Sequence, residues 1–263
     1  PVGNKKLHYL RSGGGSKVLV AFHGYGNNAN LLLSIAEPLQ AQYTLISVDL
    51  PHHGNSEWPD TEYLEPAALP KIVAYIQQSF KVDKISLLGY SMGGRVCLKI
   101  AEMVPQYVDT IVLLASDGLQ FNSFYYFVTR TTPGKYLFHR FLTNPARYTG
   151  MIEWARKRNW IDASRYKFAM QYLKAEQDRQ FLLKVWPCMA HILPDYKKLK
   201  RALNEYKIPV HIIMGMHDRV IPVALAKQFK RDTETVTLHI VDKGHRVLDG
   251  DTIPLVAQCL LAE

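Results

Sequence analysis

Short apolar runs alternate with amphipathic stretches along most of the chain. Lys17–Phe22 (KVLVAF), Tyr43–Val48 (YTLISV), Lys84–Leu88 (KISLL), Thr110–Leu114 (TIVLL), Val210–Met214 (VHIIM) and Val236–Val241 (VTLHIV) are rich in Val, Ile and Leu. Runs with so little polar alternation suit strands buried on both faces of a parallel sheet. Lys6–Leu10 is expected to add an antiparallel edge strand, turned back by Ser12-Gly13-Gly14-Gly15. Between the runs lie helical stretches. Pro66–Phe80 carries Leu69, Ile72, Val73 and Ile76 at helical spacing, Met92–Met103 follows an apolar run directly, and Pro222–Lys230 and Ile253–Leu261 flank the last run. This alternation predicts an α/β fold, a mostly parallel sheet flanked by helices on both faces.

One interval breaks the pattern. Between Leu114 and Val210 no strand is predicted; the segments are aromatic, basic and helix-like, roughly Asn122–Arg130, Pro145–Arg158, Asp162–Glu176, Asp178–Trp186 and Tyr196–Glu205, with Asn144 and Asp162 at helix boundaries. A stretch of this length is too long for a structureless loop in a compact domain. Residues 118–207 are therefore expected to form an inserted helical cap, and residues 1–117 and 208–263 the core.

Composition narrows the classes. The 263 residues suffice for one α/β domain carrying an insertion, and a hydrophobic content of 48% excludes global disorder. The 32 Lys and Arg against 23 Asp and Glu give a net charge of +9, which reads either as an ordinary basic surface or as attraction for anionic substrates. No dense basic block interleaved with aromatics occurs, so no nucleic-acid partner is expected. Cys97, Cys188 and Cys259 are widely spaced, without a CxxC or Cys/His zinc pattern. Their odd number argues against a disulfide framework and for a reducing compartment, so a cytoplasmic location is expected. No run of about 18 apolar residues predicts a membrane span. No secretory leader is visible, although the chain starts at Pro1 rather than Met. Neither a metal nor a cofactor is expected; the partner expected is a small-molecule substrate, and the oligomeric state is not legible.

Four segments, each following an apolar run, carry candidate chemistry. Gly89-Tyr90-Ser91-Met92-Gly93 fits G-x-S-x-G between a strand and a helix, the context in which a serine is lifted clear of the sheet on a strained turn. His23-Gly24-Tyr25-Gly26 supplies a glycine-flanked loop whose Tyr25 N–H, with that of Met92, would receive an oxyanion. His23 itself suits loop support better than base catalysis. Asp218 follows the run ending at Met214, and His245 follows the one ending at Val241. A neutral serine needs a base, and the imidazole needs a carboxylate to hold its tautomer. Ser91, His245 and Asp218 fill those roles, with Asp117 as a rival acid and His217 as a rival base. The order Ser, Asp, His along the chain is the order of α/β hydrolases.

Together, HGYG at 23–26, DLPHHGNS at 49–56, GYSMGG at 89–94, GMHDRVIP at 215–222 and DKGH at 242–245 resemble the α/β-hydrolase superfamily from about residue 17 to the C-terminus. The resemblance implies a Ser91–Asp218–His245 triad, an oxyanion hole at Tyr25 and Met92, and, as the broadest default, hydrolysis of a carboxylic ester, thioester or lactone, with amide hydrolysis, acyl transfer and cofactor-free perhydrolysis also open. It departs from the family's D-x-P-G-H-G-x-S loop at His52, where glycine is usual. Ser91 argues against the epoxide hydrolases and dehalogenases of the family, which use an aspartate there. The elbow through Arg95 is also similar to that of the menaquinone-pathway SHCHC synthase, a lyase that holds an anionic substrate. Arg130, Arg140, Arg147, Arg156, Arg158 and Arg165 would add to such a site, unless Arg95 makes a structural ion pair and the others face solvent. C–C bond hydrolysis and a non-catalytic ligand-binding role are further alternatives. Gly24, Tyr90, Arg95 and Trp154 are candidate substrate contacts. The cap's aromatics are expected to form its own core or to line an apolar pocket, and the cap to set specificity.

Overall fold

A computed structural model describes residues 5–158, 160, 166, 170, 173–231 and 233–261. Seven strands form one sheet in the order β1-β3-β2-β4-β5-β6-β7. They are β1 Tyr9–Ser12, β2 Lys17–Phe22, β3 Tyr43–Val48, β4 Ile85–Tyr90, β5 Val108–Leu114, β6 Val210–Gly215 and β7 Val236–Val241. β1 runs antiparallel to β3, and the other pairings are parallel. The helices described are α1 Ala36–Leu39, α2 Ala68–Phe80, α3 Met92–Met103, α4 Ser123–Arg130, α5 Thr132–Thr143, α6 Ala146–Lys157, α7 Glu176–Cys188, α8 Tyr196–Glu205, α9 Val223–Arg231 and α10 Ile253–Leu261.

Burial accounts for the pattern read along the chain. Every residue of β3 and β4 is buried, as is all of β2 after Lys17. Central strands covered on both faces have no polar side to alternate with. β1, at the edge, alternates between exposed and half-buried positions. It lies further along the chain than expected: Tyr9 pairs with Val48 and Ser12 with Leu45, while Lys6 makes only an isolated bridge to Glu57. Ser12 thus ends the strand and the glycines alone make the turn. β4 also runs past its expected end, because Gly89 and Tyr90 continue the ladder opposite Leu113 and Leu114. Glycine's poor strand propensity hid this extension.

The chain divides into two compact units, Pro1–Pro59, Leu64–Phe121 and Ile192–Glu263 in the first, Asp60–Tyr63 and Asn122–His191 in the second. The insertion therefore ends short of residue 207. Helix α8, expected within it, packs along α3 in the first unit, burying Leu199, Ala202 and Leu203. Glu102 of α3 accepts a hydrogen bond from the Asp195 amide at the start of α8 (2.7 Å).

In the second unit, the Trp186 ring stacks on Phe138 at 5.5 Å and meets Tyr125 edge-on at 5.4 Å, while Tyr125 Oη donates to the Trp186 carbonyl. Several other aromatics expected to build a core or pocket, Phe124, Tyr136, Trp154 and Trp160 among them, are exposed. Helix α5 was missed at the sequence level although its start is marked: Thr131 caps the Gly134 amide, and Pro133 sits in the first turn. Asn144 closes α5 and Pro145 precedes α6. The expected helix Asp162–Glu176 falls largely outside the described residues; Glu176 opens α7. Among the described residues no helix is long and apolar enough to cross a membrane. Cys97, Cys188 and Cys259 are buried and are not joined in disulfides.

Candidate active site

Ser91, Asp218 and His245 come from three segments at the carboxyl ends of β4, β6 and β7, the end at which parallel sheets place their sites. Ser91 joins β4 to α3 with φ 49° and ψ −115°. This backbone costs a non-glycine residue about 1–3 kcal/mol and persists only where its surroundings enforce it. Here the Ser91 amide donates to the Leu114 carbonyl, and the Ser91 carbonyl accepts from the Gly94 and Asp117 amides, each at 2.9 Å. A side chain at Gly93 would collide with the Phe22 carbonyl, so α3 can approach β2 this closely only with glycine there.

His245 bridges the other two side chains. Its Nε2 lies 3.1 Å from Ser91 Oγ, and its Nδ1 lies 2.8 Å from Asp218 Oδ2. A carboxylate facing Nδ1 fixes the proton on that nitrogen and leaves Nε2 as acceptor for the hydroxyl. The Asp218 side chain is fully buried; its other oxygen accepts from the Val220 and Ile221 amides (2.8 and 2.9 Å). Main-chain bonds zip the two loops together, Met216 N to Val241 O at 2.8 Å and His217 N to Lys243 O at 2.9 Å. Lys243 pairs with Asp249 and Asp251, tying down the segment that carries His245. Tyr90 packs its ring 5.8 Å from the imidazole and donates its hydroxyl to the His245 carbonyl.

The loop after β2 closes on the same serine. A Cβ placed on Gly24 would lie 3.1 Å from both Ser91 Cβ and Tyr90 Cδ1. Tyr25 follows Gly24, and Met92 is the first residue of α3, whose opening amides have no partner within the helix. Beneath this loop His23 is fully buried, with Nδ1 donating to the Gly24 carbonyl (2.8 Å) and Nε2 accepting from the Leu50 amide (3.0 Å). Burial lowers its pKa, outweighing the Gly24 carbonyl and the Asp49 charge, both of which favour the protonated ring. His53 is held alike, between the Pro51 carbonyl (2.8 Å) and the Gly26 amide (3.2 Å), and burial lowers its pKa to about 4. Burial alone would raise the Asp49 carboxyl; the Asn55 and Ala29 amides and the His8 ring outweigh it and hold it below the usual range. His52 adopts φ 65°, so the loop keeps a left-handed residue without glycine.

The rivals are engaged elsewhere. Asp117 pairs with Arg95 at 2.9 Å and accepts from the Gly118 amide. His217 pairs with Asp242 on the surface at 2.7 Å. Arg95, expected as a substrate contact, is buried in its ion pair. Trp154 lies on α6 in the second unit, 46% exposed, edge-on to Trp160. The network around Asp49, His23 and His53 was not identified as a unit from the sequence; its signals were the HGYG and DLPHHGNS segments, read separately.

Comparison with protein families matches residues 17–251 to the alpha/beta hydrolase fold. The uncharacterized hydrolase YugF of Bacillus subtilis (strain 168) is 26% identical over 243 residues, covering 91% of this chain and 86% of the relative. Among solved structures, a carboxylesterase of Nitrososphaera gargenis superposes with a TM-score of 0.68 at 17% identity, covering 99% of this chain and 96% of its own. An esterase from Thermogutta terrifontis gives 0.63 at 16%, covering 97% and 92%. At such identities the two structures speak for the fold alone.

Proposed function

Because the chain belongs to the alpha/beta-hydrolase fold family, we propose that it is a serine hydrolase that cleaves a small carboxylic ester, thioester or lactone through an acyl-enzyme on Ser91. The observation that carries this reading is the imidazole of His245 held between a strained serine hydroxyl at 3.1 Å and a buried carboxylate at 2.8 Å. Ser91 Oγ attacks the carbonyl carbon as its proton passes to His245 Nε2. Asp218, across the Nδ1–H bond, holds the tautomer and steadies the imidazolium. The Tyr25 and Met92 amides receive the oxyanion; loss of one such donor costs about 2.7–4 kcal/mol of transition-state stabilisation. His245 then protonates the leaving group, and a water activated by the same ring releases the acid. Gly24 and Tyr90, packed against Ser91, line the position of the reacting carbonyl.

A lyase acting on an anionic substrate would need Arg95 to grip that substrate. With the guanidinium buried and paired to Asp117, no observation favours this reading. The decisive experiment pairs fluorophosphonate labelling with hydrolysis of short-chain p-nitrophenyl esters. Wild-type protein is expected to label and turn over, and Ser91→Ala to do neither. Folded wild-type protein that does neither overturns the proposal. A mass-spectrometric panel of acyl chain lengths and anionic ring substrates then selects the substrate class.

A further inference from the structure

The sheet holds a second group of chemistry-bearing side chains that the triad does not use. His211 is the second residue of β6, His239 the fourth of β7, and Cys259 lies on α10. The parallel register pairs His211 with Thr237 and Ile213 with His239. Paired residues of neighbouring strands point to one face, so the two histidines are diagonal neighbours on it. Cys259 belongs to the same apolar cluster as Ile213 and Val256. One donor atom from each of the three residues lies within 4.8 Å of the other two. Cys259 Sγ is 3.7 Å from His239 Nε2, and the two imidazole centroids are 5.8 Å apart.

These separations suit one kind of ligand. Tetrahedral zinc, with Zn–S near 2.3 Å and Zn–N near 2.0–2.1 Å, sets its donors about 3.5 Å apart. The sulfur–nitrogen distance already matches, and rotation of a half-exposed imidazole brings in the third donor. A buried thiol beside two imidazoles would also pack as a small apolar group. Packing does not account for His211 Nδ1, which is buried without a hydrogen-bond partner among the described residues. A buried polar atom left in this way disfavours the folded state until a partner reaches it. Two nitrogens and a thiolate, with no carboxylate, select zinc-class cations over magnesium or calcium.

We propose that His211, His239 and Cys259 bind a zinc-class divalent cation, with water in the fourth position. The sequence hid this site because its donors come from three separate elements and form no short motif. His211 lies near the start of β6, whereas Asp218 follows its end, so the cation sits apart from the triad. His239 and Cys259 flank the segment that carries His245, so a cation there ties β6, β7 and α10 together at its base. Its effect falls on the stability of this edge of the sheet and not on the chemistry at Ser91.

Chelator-stripped protein titrated with Co²⁺ tests the site. Wild type is expected to bind one Co²⁺ per chain, with a thiolate-to-cobalt charge-transfer band that Zn²⁺ abolishes by displacement, and Zn²⁺ is expected to raise Tm. Cys259→Ala removes the band, and His239→Ala weakens binding by at least the ~10–100-fold that loss of an outer-shell partner costs. His245→Ala leaves both signals intact, which separates this site from the triad. No band in wild type, a band that survives Cys259→Ala, or one lost in His245→Ala overturns the proposal. Should Cys259→Ala fail to fold, His239→Ala, at a half-exposed position, decides.

Discussion

The loops after β2 and β3 and the loops after β6 and β7 both place a histidine beside a buried carboxylate, and they use them differently. In the first region, His23 and His53 spend both ring nitrogens on main-chain groups, and Asp49 spends its oxygens on the Ala29 and Asn55 amides and the His8 ring. Neither ring presents a nitrogen to a nucleophile, and the bonds hold the loop that carries Gly24 and Tyr25. In the second region, Asp218 takes two amides and one imidazole, and that imidazole has its far nitrogen facing a hydroxyl. A histidine with one nitrogen oriented and the other presented to a nucleophile can move a proton. A histidine bonded to backbone on both sides can only hold a shape. Residue type is thus a poor guide to role, and the partner on each nitrogen is a good one.

The contrast would break most visibly at His245. His245→Ala is expected to lower kcat on the order of 10⁶-fold, as removal of the base does in serine hydrolases, with folding retained. Burst kinetics with an activated ester measures this. Asp218→Asn leaves a side chain of the same shape but the wrong tautomer on the ring, and about 10⁴-fold is expected in the same assay. If Asp117→Asn instead gave the larger loss, the acid assignment would fall. Asp117→Asn should act on stability: it removes the negative charge that faces the buried Arg95 guanidinium, at a cost of about 1.5–3 kcal/mol read by urea unfolding. Labelling of Ser91 should survive wherever the variant is folded.

The supporting histidines are expected to show themselves through pH. The folded-state pKa of His53 lies at about 4 against 6.5 for the free side chain. Between those values the unfolded chain takes up a proton that the folded one refuses, so stability is full above about pH 6.5 and falls as pH drops towards 4. The loss across that window is about 3 kcal/mol for this ring. His23, lowered in the same direction by its burial, adds to the slope. Unfolding curves taken at intervals between pH 4 and 7 would show it, and His53→Gln should flatten it; an unchanged slope would mean that the ring is not held neutral. The smallest effect is expected at His217. Its pair with Asp242 is exposed, so His217→Ala should leave any turnover of the activated ester unchanged and cost less than about 1 kcal/mol.

Much of this was legible along the chain. The runs KVLVAF and YTLISV are strands at their expected bounds, because a strand buried on both faces leaves an uninterrupted apolar signature. The strand–glycine–serine–helix context of Ser91 was equally plain. The edge strand was misplaced because, with one neighbour, its pattern is set by the register against β3 and not by its own hydrophobicity. Helix α8 was assigned to the insertion because its apolar stripe shows that it packs but not against what; α3 is the answer. Which aromatics of the second unit are buried, as Tyr125 and Phe138 are, and which are exposed, as Phe124 and Tyr136 are, is hidden for the same reason.

From the order of residues alone came the parallel sheet, the turn that lifts Ser91, and three side chains each following a strand. These depend on local sterics and periodicity, which a linear chain carries in full. Which nitrogen of which histidine meets which partner, whether Arg95 turns to a substrate or to Asp117, and that His211, His239 and Cys259 come together were decided by the tertiary structure. Each depends on distances between segments remote in sequence, and those distances exist only once the sheet has assembled.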